Sequence, residues 1–193
     1  MAPKPWDILN SRWDRSYRVF NLRTDHARSP RTGLSHDFFV LEASDWVNII
    51  PLTPDQEVVL IRQYRHGIRD NALEIPGGLL ETDDSLEGAA RRELAEETGY
   101  NDGEMTYLGY VHPNPAILNN RCHTFLARDV VLNQDQAQDD KEDIEVILYP
   151  LSEIPKLIYD NQITHALVLA AFYRLFLEKM PSDLGDMVPS PRI

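Results

Sequence analysis

The chain has 193 residues, 42% hydrophobic and 9% aromatic, with a net charge of −12 at pH 7, values of one globular domain of ordinary size with room for a small appendage. So acidic a balance makes nucleic acid a poor partner, and a single cysteine, Cys122, excludes an internal disulfide framework and fits a reducing compartment. No N-terminal apolar run resembles a signal peptide, and the longest one, Ala166–Tyr173, is far short of the ~20 residues of a membrane span; the expectation is a soluble, cytoplasmic protein with no membrane partner. The charge is uneven: residues 1–32 carry seven Lys/Arg against three Asp. That basic arm reads either as a docking segment for a second subunit's acidic body or as a scattered, solvated charge set.

In chain order, Tyr17–Asn21 and Asp37–Leu41 read as short strands of a small antiparallel sheet, separated by the turn formers Ser29-Pro30 and Thr32-Gly33. Trp46–Leu52, a Pro-Asp turn at 54–55 and Glu57–Tyr64 read as a hairpin entering the main domain. Leu73–Ile75 is a short strand, and Pro76-Gly77-Gly78 opens a loop. A helix over Ser85–Thr98 follows, with Ser85 as N-cap and Gly99 as its stop. Met105–Val111, Cys122–Val131 and Ile144–Pro150 are the next strands. Helices near Leu151–Tyr159 and over Thr164–Met180 close the pattern, with a loose tail from Pro181. The Ala166–Leu177 stripe is core or dimer packing. The whole predicts a mixed α/β (α+β) sheet with helices on its faces.

Gly78 to Tyr100 carries the chemistry. Glu93, Glu96 and Glu97 fall at 0, +3 and +4 among helix formers, which places them on one side of the helix. Like charges at that spacing repel, and no basic residue is spaced to neutralise all three, so a cation is expected there. Hard oxygen ligands suit Mg²⁺ or Mn²⁺.

The same stretch resembles the Nudix box: Gly, five residues, Glu, seven residues, then Arg-Glu-apolar-any-Glu-Glu-any-Gly-apolar. The positions here are Gly78, Asp84 and Arg92-Glu93-Leu94-Ala95-Glu96-Glu97-Thr98-Gly99-Tyr100. Asp84 stands where the family has Glu, and Tyr100 stands at the last aliphatic position. The resemblance implies an α/β/α sandwich over 46–180, an N-terminal sheet over 1–45 through which nucleotide-sugar members form homodimers, and a tail over 181–193. It implies a hydrolase that cleaves a nucleoside diphosphate linked to another group.

Flanking residues narrow that group. Arg62-Gln63-Tyr64-Arg65 with Leu73-Glu74-Ile75-Pro76-Gly77-Gly78 looks like the corresponding run of ADP-ribose pyrophosphatases, and Pro115, 15 residues after Tyr100, falls near that branch's marker proline. By resemblance Glu93, Glu96, Glu97 and the Gly77 carbonyl hold the metal. A further carboxylate from the loop before the last strand acts as base or extra ligand: Glu142, with Asp140 and Glu145 as runners-up. Arg65 would contact a phosphate, with a surface salt bridge as its other reading. Gln63 belongs to the same substrate-side run. Arg92 would tie the helix to the box loop.

The loop His112–His123, with Arg121, reads as substrate-facing, and neither His112 nor His123 reads as a metal ligand. Trp46, ahead of Trp6 and Trp13, is the candidate for stacking on adenine, with core packing as the alternative. The leading expectation is Mg²⁺-dependent hydrolysis of ADP-ribose to AMP and ribose 5-phosphate. The alternatives are another nucleotide sugar or dinucleotide, or a Nudix-fold nucleotide sensor that does not cleave.

Overall fold

A computed structural model describes residues 2–138 and 143–178. The expected tail, 181–193, lies outside them. Among the described residues no helix is long and apolar enough to cross a membrane.

The first three strands form their own antiparallel sheet, in the order β1 (Asp7–Ser16), β2 (Asn21–Arg28), β3 (Ser35–Glu42). The expected strand at Tyr17–Asn21 is instead a turn, closed by the Tyr17 N–H on the Phe20 carbonyl at 2.8 Å. The strand lies before it: β1 is exposed along its whole length and pairs only with β2, so its sequence lacks the apolar alternation that marks a half-buried strand. Three of the basic arm's seven cations pair with carboxylates within this sheet. Arg23 forks onto Asp25 and contacts Glu42, Arg28 reaches Asp7 at 2.6 Å, and Arg12 reaches Asp14 at 2.7 Å. The hydrogen bonds of Arg23 and then Ser11 hold the Asp25 carboxyl below its ordinary pKa.

The main sheet is built on β4 (Trp46–Leu52), β5 (Glu57–Arg65), β9 (Glu104–Val111), β10 (Cys122–Arg128) and β12 (Ile144–Pro150), in the spatial order β12-β5-β4-β10-β9. Two short strands flank it: β6 (Asp70–Glu74) on β5 and β7 (Gly77–Leu79) on β4. The β4–β10 pair is parallel and the rest are antiparallel, so the sheet is mixed. A minor pair, β8 (Tyr100–Asn101) and β11 (Val131–Leu132), lies apart. The expected β4–β5 hairpin closes only at its tip, Leu52 opposite Val58. Beyond that the two strands diverge to other partners, and the glycines expected as loop are the β7 edge strand.

Helices cover both faces. On one lies α1 (Leu86–Thr98), packing Ala89, Ala90 and Leu94 against Val47, Ile49, Val59, Phe125 and Ala127. On the other, α2 (Ile154–Tyr159) and α3 (Ala166–Glu178) pack Ile154, Leu157, Val168, Ala171, Phe172 and Leu175 against Ile50, Leu52, Val58, Leu60 and Leu126. The odd and even positions of β4 serve opposite cores, which is why its sequence is a nearly continuous apolar run. In α3 the buried residues repeat at i, i+3, i+4 and i+7.

Caps set the limits of α1. Ser85 Oγ accepts the Gly88 N–H at 3.0 Å. Gly99 stops the helix in the left-handed region, φ 75°, with its N–H on the Ala95 carbonyl. A Cβ at Gly99 would overlap the Gln134 carbonyl oxygen. Gly99→Ala therefore meets both a backbone penalty and a rigid neighbour, and should cost about 1–3 kcal/mol in urea unfolding; an unchanged midpoint would show that this helix end is not fixed by its glycine.

Candidate active site

Helix packing sets the carboxylate geometry. Leu94 faces the core and Glu97, three residues on, shares that stripe, so Glu97 is only 3% exposed. A buried carboxylate needs hydrogen-bond donors. Its Oε2 accepts the Gly77 N–H at 2.9 Å, which ties the helix to β7. Glu93 lies one turn earlier, against Gly78, where a Cβ would overlap its carboxylate. The two glycines are thus needed for close approach: Gly77 passes against Val47 and Asn48 of β4, and Gly78 against Glu93.

Arg92 offsets the charge of two of the three carboxylates. Arg92 Nη1 bonds Glu93 Oε1 at 2.8 Å and Glu96 Oε2 at 3.2 Å. Its Nη2 bonds Asp84 Oδ2 at 2.9 Å and the Leu79 carbonyl at 3.2 Å. Helix spacing reveals only the i,i+4 contact to Glu96; the contact to the adjacent Glu93 and the reach back to Asp84 and the Leu79 carbonyl do not follow from it. Burial lowers the Arg92 pKa, but the hydrogen bond to Asp84, the charge of Glu93 and the hydrogen bonds to Glu93 and Glu96 outweigh it and raise the pKa overall. Asp84 makes this contact although it is one methylene shorter than the box's Glu.

Beside this cluster is a cavity of ≈ 510 Å³. Gly77, Gly78 and Leu79 form part of its wall, so the box loop borders both cavity and carboxylates. Trp46, Asn48, Arg65, Glu74 and His165 line it as well. Arg65 forks onto Glu74 through Nε and Nη2 at 2.8 and 2.7 Å, and Glu74 is 3% exposed. That fork fixes the guanidinium plane at the cavity wall. Cys122 also lines the cavity; burial, with the Asp45 charge second, pushes its thiol pKa up to about 12, so it is a packing group and not a nucleophile.

The remaining candidates are spread out. Gln63 sits in β5 between Ala72 and Ile144, outside the cavity lining. Pro115 is exposed in the 112–121 loop. Arg121 places its guanidinium 4.7 Å from the Tyr110 ring centroid. Glu145 is held in a surface pair with Arg62 at 2.7 Å. Glu142 and Asp140 lie outside the described residues. Among the described residues no three His, Cys, Asp or Glu side chains are grouped so as to hold a metal ion; Glu93 and Glu96 are bonded to Arg92 Nη1. The donors nevertheless have the chemistry for a hard divalent cation, and the cleft left by the missing Cβ of Gly78 keeps the Glu93 carboxylate against the loop. Asn48, Glu74 and His165 are cavity residues that the sequence does not mark as such. The cues were an Asn within the apolar run of β4 and the place of Glu74 in the run before Pro76-Gly77-Gly78.

This is a mixed-sheet sandwich with a carboxylate-bearing helix beside a glycine loop and a cavity. The NUDIX domain model matches residues 45–172, and the chain belongs to that family. It is similar to the ADP-ribose pyrophosphatase of Bacillus subtilis (strain 168), 29% identical over 165 residues, covering 85% of this chain and 89% of that protein. The GDP-mannose pyrophosphatase of Klebsiella pneumoniae is 34% identical over 165 residues, covering 81% of each. A solved structure described as an ADP compounds hydrolase superposes with a TM-score of 0.80 at 22% identity, over 98% of this chain and 100% of that one; it shows the shared fold.

Because one guanidinium joins Asp84, Glu93, Glu96 and the Leu79 carbonyl, Arg92→Met should lower stability by about 1–3 kcal/mol. The loss should shrink in ~1 M salt, where charges are screened within about 3 Å. Equal urea midpoints for the two proteins at low salt would show that the carboxylates relax without the cation.

Proposed function

We propose that this protein hydrolyses the pyrophosphate of a nucleoside diphosphate sugar, ADP-ribose first, to AMP and ribose 5-phosphate, with Mg²⁺ or Mn²⁺ as cofactor. The observation that carries this reading is the box loop, whose Gly77–Leu79 backbone borders the carboxylates of α1 on one side and a substrate-sized cavity on the other. The relatives' names point to nucleotide sugars. Glu93, Glu96, Glu97 and the Gly77 carbonyl would hold the cation, Glu96 by exchanging Arg92 for it. Bound there, it supplies charge neutralisation on the diphosphate and a water of lowered pKa.

The chain's own groups do the rest. Arg65, steadied by Glu74, presents a guanidinium of fixed plane to a phosphate. Trp46 offers a ring at the cavity wall for the base. Arg121 adds a cation from the loop that also carries Pro115. Glu142 is proposed as the base, and Gln63 as a substrate contact, both on the family resemblance. A homodimer would use the N-terminal sheet, where Trp13 and Phe39 are each 62% exposed, and a cytoplasmic location fits the lone, buried thiol of Cys122.

The test is product release from ADP-ribose, ADP-glucose, GDP-mannose, NADH, diadenosine tetraphosphate and dGTP, each with and without Mg²⁺. Mg²⁺-dependent AMP release from ADP-ribose, well above the others, is expected. Preference for another member would discard the substrate and keep the chemistry; binding without turnover of any would favour the sensor. Glu97→Gln should cut turnover about a hundredfold or more while the fold survives, since the amide oxygen still accepts the Gly77 N–H. Wild-type turnover in that variant at saturating Mg²⁺ would remove Glu97 from the metal set. A chain starting at Ala43 should sediment as a monomer where the full chain is a dimer; a persistent dimer would place the interface elsewhere.

A further inference from the structure

A ladder of side-chain bonds joins the start of β4 to the end of the 112–121 loop. The Ala43 N–H donates to Asn119 Oδ1 at 3.1 Å, and Asn120 Nδ2 to the Ser44 carbonyl at 3.0 Å. The Arg121 N–H donates to Asp45 Oδ1 at 2.7 Å, and the Trp46 N–H returns to the Arg121 carbonyl at 2.8 Å. Asp45 and Trp46 thus hold both backbone groups of Arg121. The Asp45 carbonyl in turn accepts the Leu80 N–H of the box loop at 2.9 Å. One residue therefore joins the box loop, the cavity's tryptophan strand and the Arg121 loop.

Asp45 is itself anchored from below. Its Oδ2 faces His123 Nε2 at 3.3 Å, and His123 Nδ1 lies 2.8 Å from the Tyr107 hydroxyl. His123 is 6% exposed and so needs both partners. With both its oxygens engaged, the Asp45 carboxylate has one orientation. The Arg121 side chain continues from this fixed point and lies over the Tyr110 ring, which limits its rotamers.

We infer that Asp45, anchored by His123 and Tyr107, is a positioning residue that presets Arg121 and Trp46 against the box loop for the sugar diphosphate. The inference rests on the proposed function. Its energetic content is in binding: a substrate meets the Trp46 ring at the cavity wall and the neighbouring Arg121 loop already in place and does not order them itself. Asp45 touches no reacting atom, so its loss should raise KM and leave kcat almost alone.

The experiment compares Asp45→Ala, Asp45→Asn and Tyr107→Phe by steady-state kinetics and by hydrogen exchange of the Arg121 amide. Asp45→Ala should raise KM about tenfold, the worth of one charge-assisted hydrogen bond, with kcat within about twofold and faster exchange at Arg121. Asp45→Asn should restore KM and protection, because its amide oxygen accepts from Arg121 while its nitrogen donates to the other tautomer of His123. Tyr107→Phe should raise KM in the same direction by less.

A folded Asp45→Ala protein with lowered melting temperature but wild-type KM would overturn the inference, leaving a strut. So would an equal fall in kcat, or an Arg121 amide still protected. If Asp45→Ala does not fold, Tyr107→Phe decides: an unchanged KM there breaks the anchor chain. A wild-type protein inactive on every nucleotide sugar overturns the proposed function instead, and Arg121 exchange then decides by itself whether Asp45 holds the loop.

Discussion

Three carboxylates within five residues of helix repel one another, by a few tenths of a kcal/mol per i,i+4 pair on an exposed helix and by more where burial lowers the dielectric, and the box loop is docked by the groups that relieve this repulsion. Relief comes by two routes. Glu97 is drawn into the core stripe of α1 and hydrogen-bonded by the Gly77 N–H. Glu93 and Glu96 share the Arg92 guanidinium, which also reaches back to Asp84 and the Leu79 carbonyl. Each route ends on the loop before the helix. The charge problem on the helix is thus also the force that docks the loop onto it.

That docking fixes a second boundary. The loop must pass close to β4 on one side and to Glu93 on the other, and a Cβ would overlap at both Gly77 and Gly78. The same backbone pairs with β4 at Trp46, Val47 and Asn48. Trp46, Val47 and Asn48 all border the cavity, and Val47 also packs in the core cluster with Ala89, Ala90 and Leu94 of α1. Strand β4 therefore borders both the cavity and the core beneath the carboxylates. Loop, strand and helix could not shift separately without opening one of the two.

How much of this was legible in the sequence depended on whether the signal was local. The limits of α1 were, because Ser85 and Gly99 cap it through bonds to residues within four positions. The sandwich was, because apolar runs and the 3.6-residue stripe of α3 report burial directly. The burial of Glu97 was not, since it depends on which face of the helix meets the sheet. Strand β1 was hidden by its exposed, charged composition. The Glu74 fork on Arg65 joins neighbouring strands across nine residues and appeared in the sequence only as part of a family run. Asp45 and His123 lie 78 residues apart, and nothing in either neighbourhood marks them as partners.

The basic arm shows the limit of reading charge along a chain. Net charge by segment assigns it to docking or to solvent, yet β-pairing brings Arg28 to Asp7 and Arg23 to Glu42, and Arg23 also meets Asp25 two residues along its own strand. Arg15 lies over the Tyr17 ring. Cations engaged in this way carry little long-range field, because each sits beside its counter-charge. What the sheet still offers is apolar: Trp6 edge-on to Phe38, with Ile8 and Trp13 of β1 exposed on the same sheet. Any partner of that surface must be matched by shape and burial of apolar area. Its affinity would then respond weakly to salt and strongly to loss of one aromatic side chain.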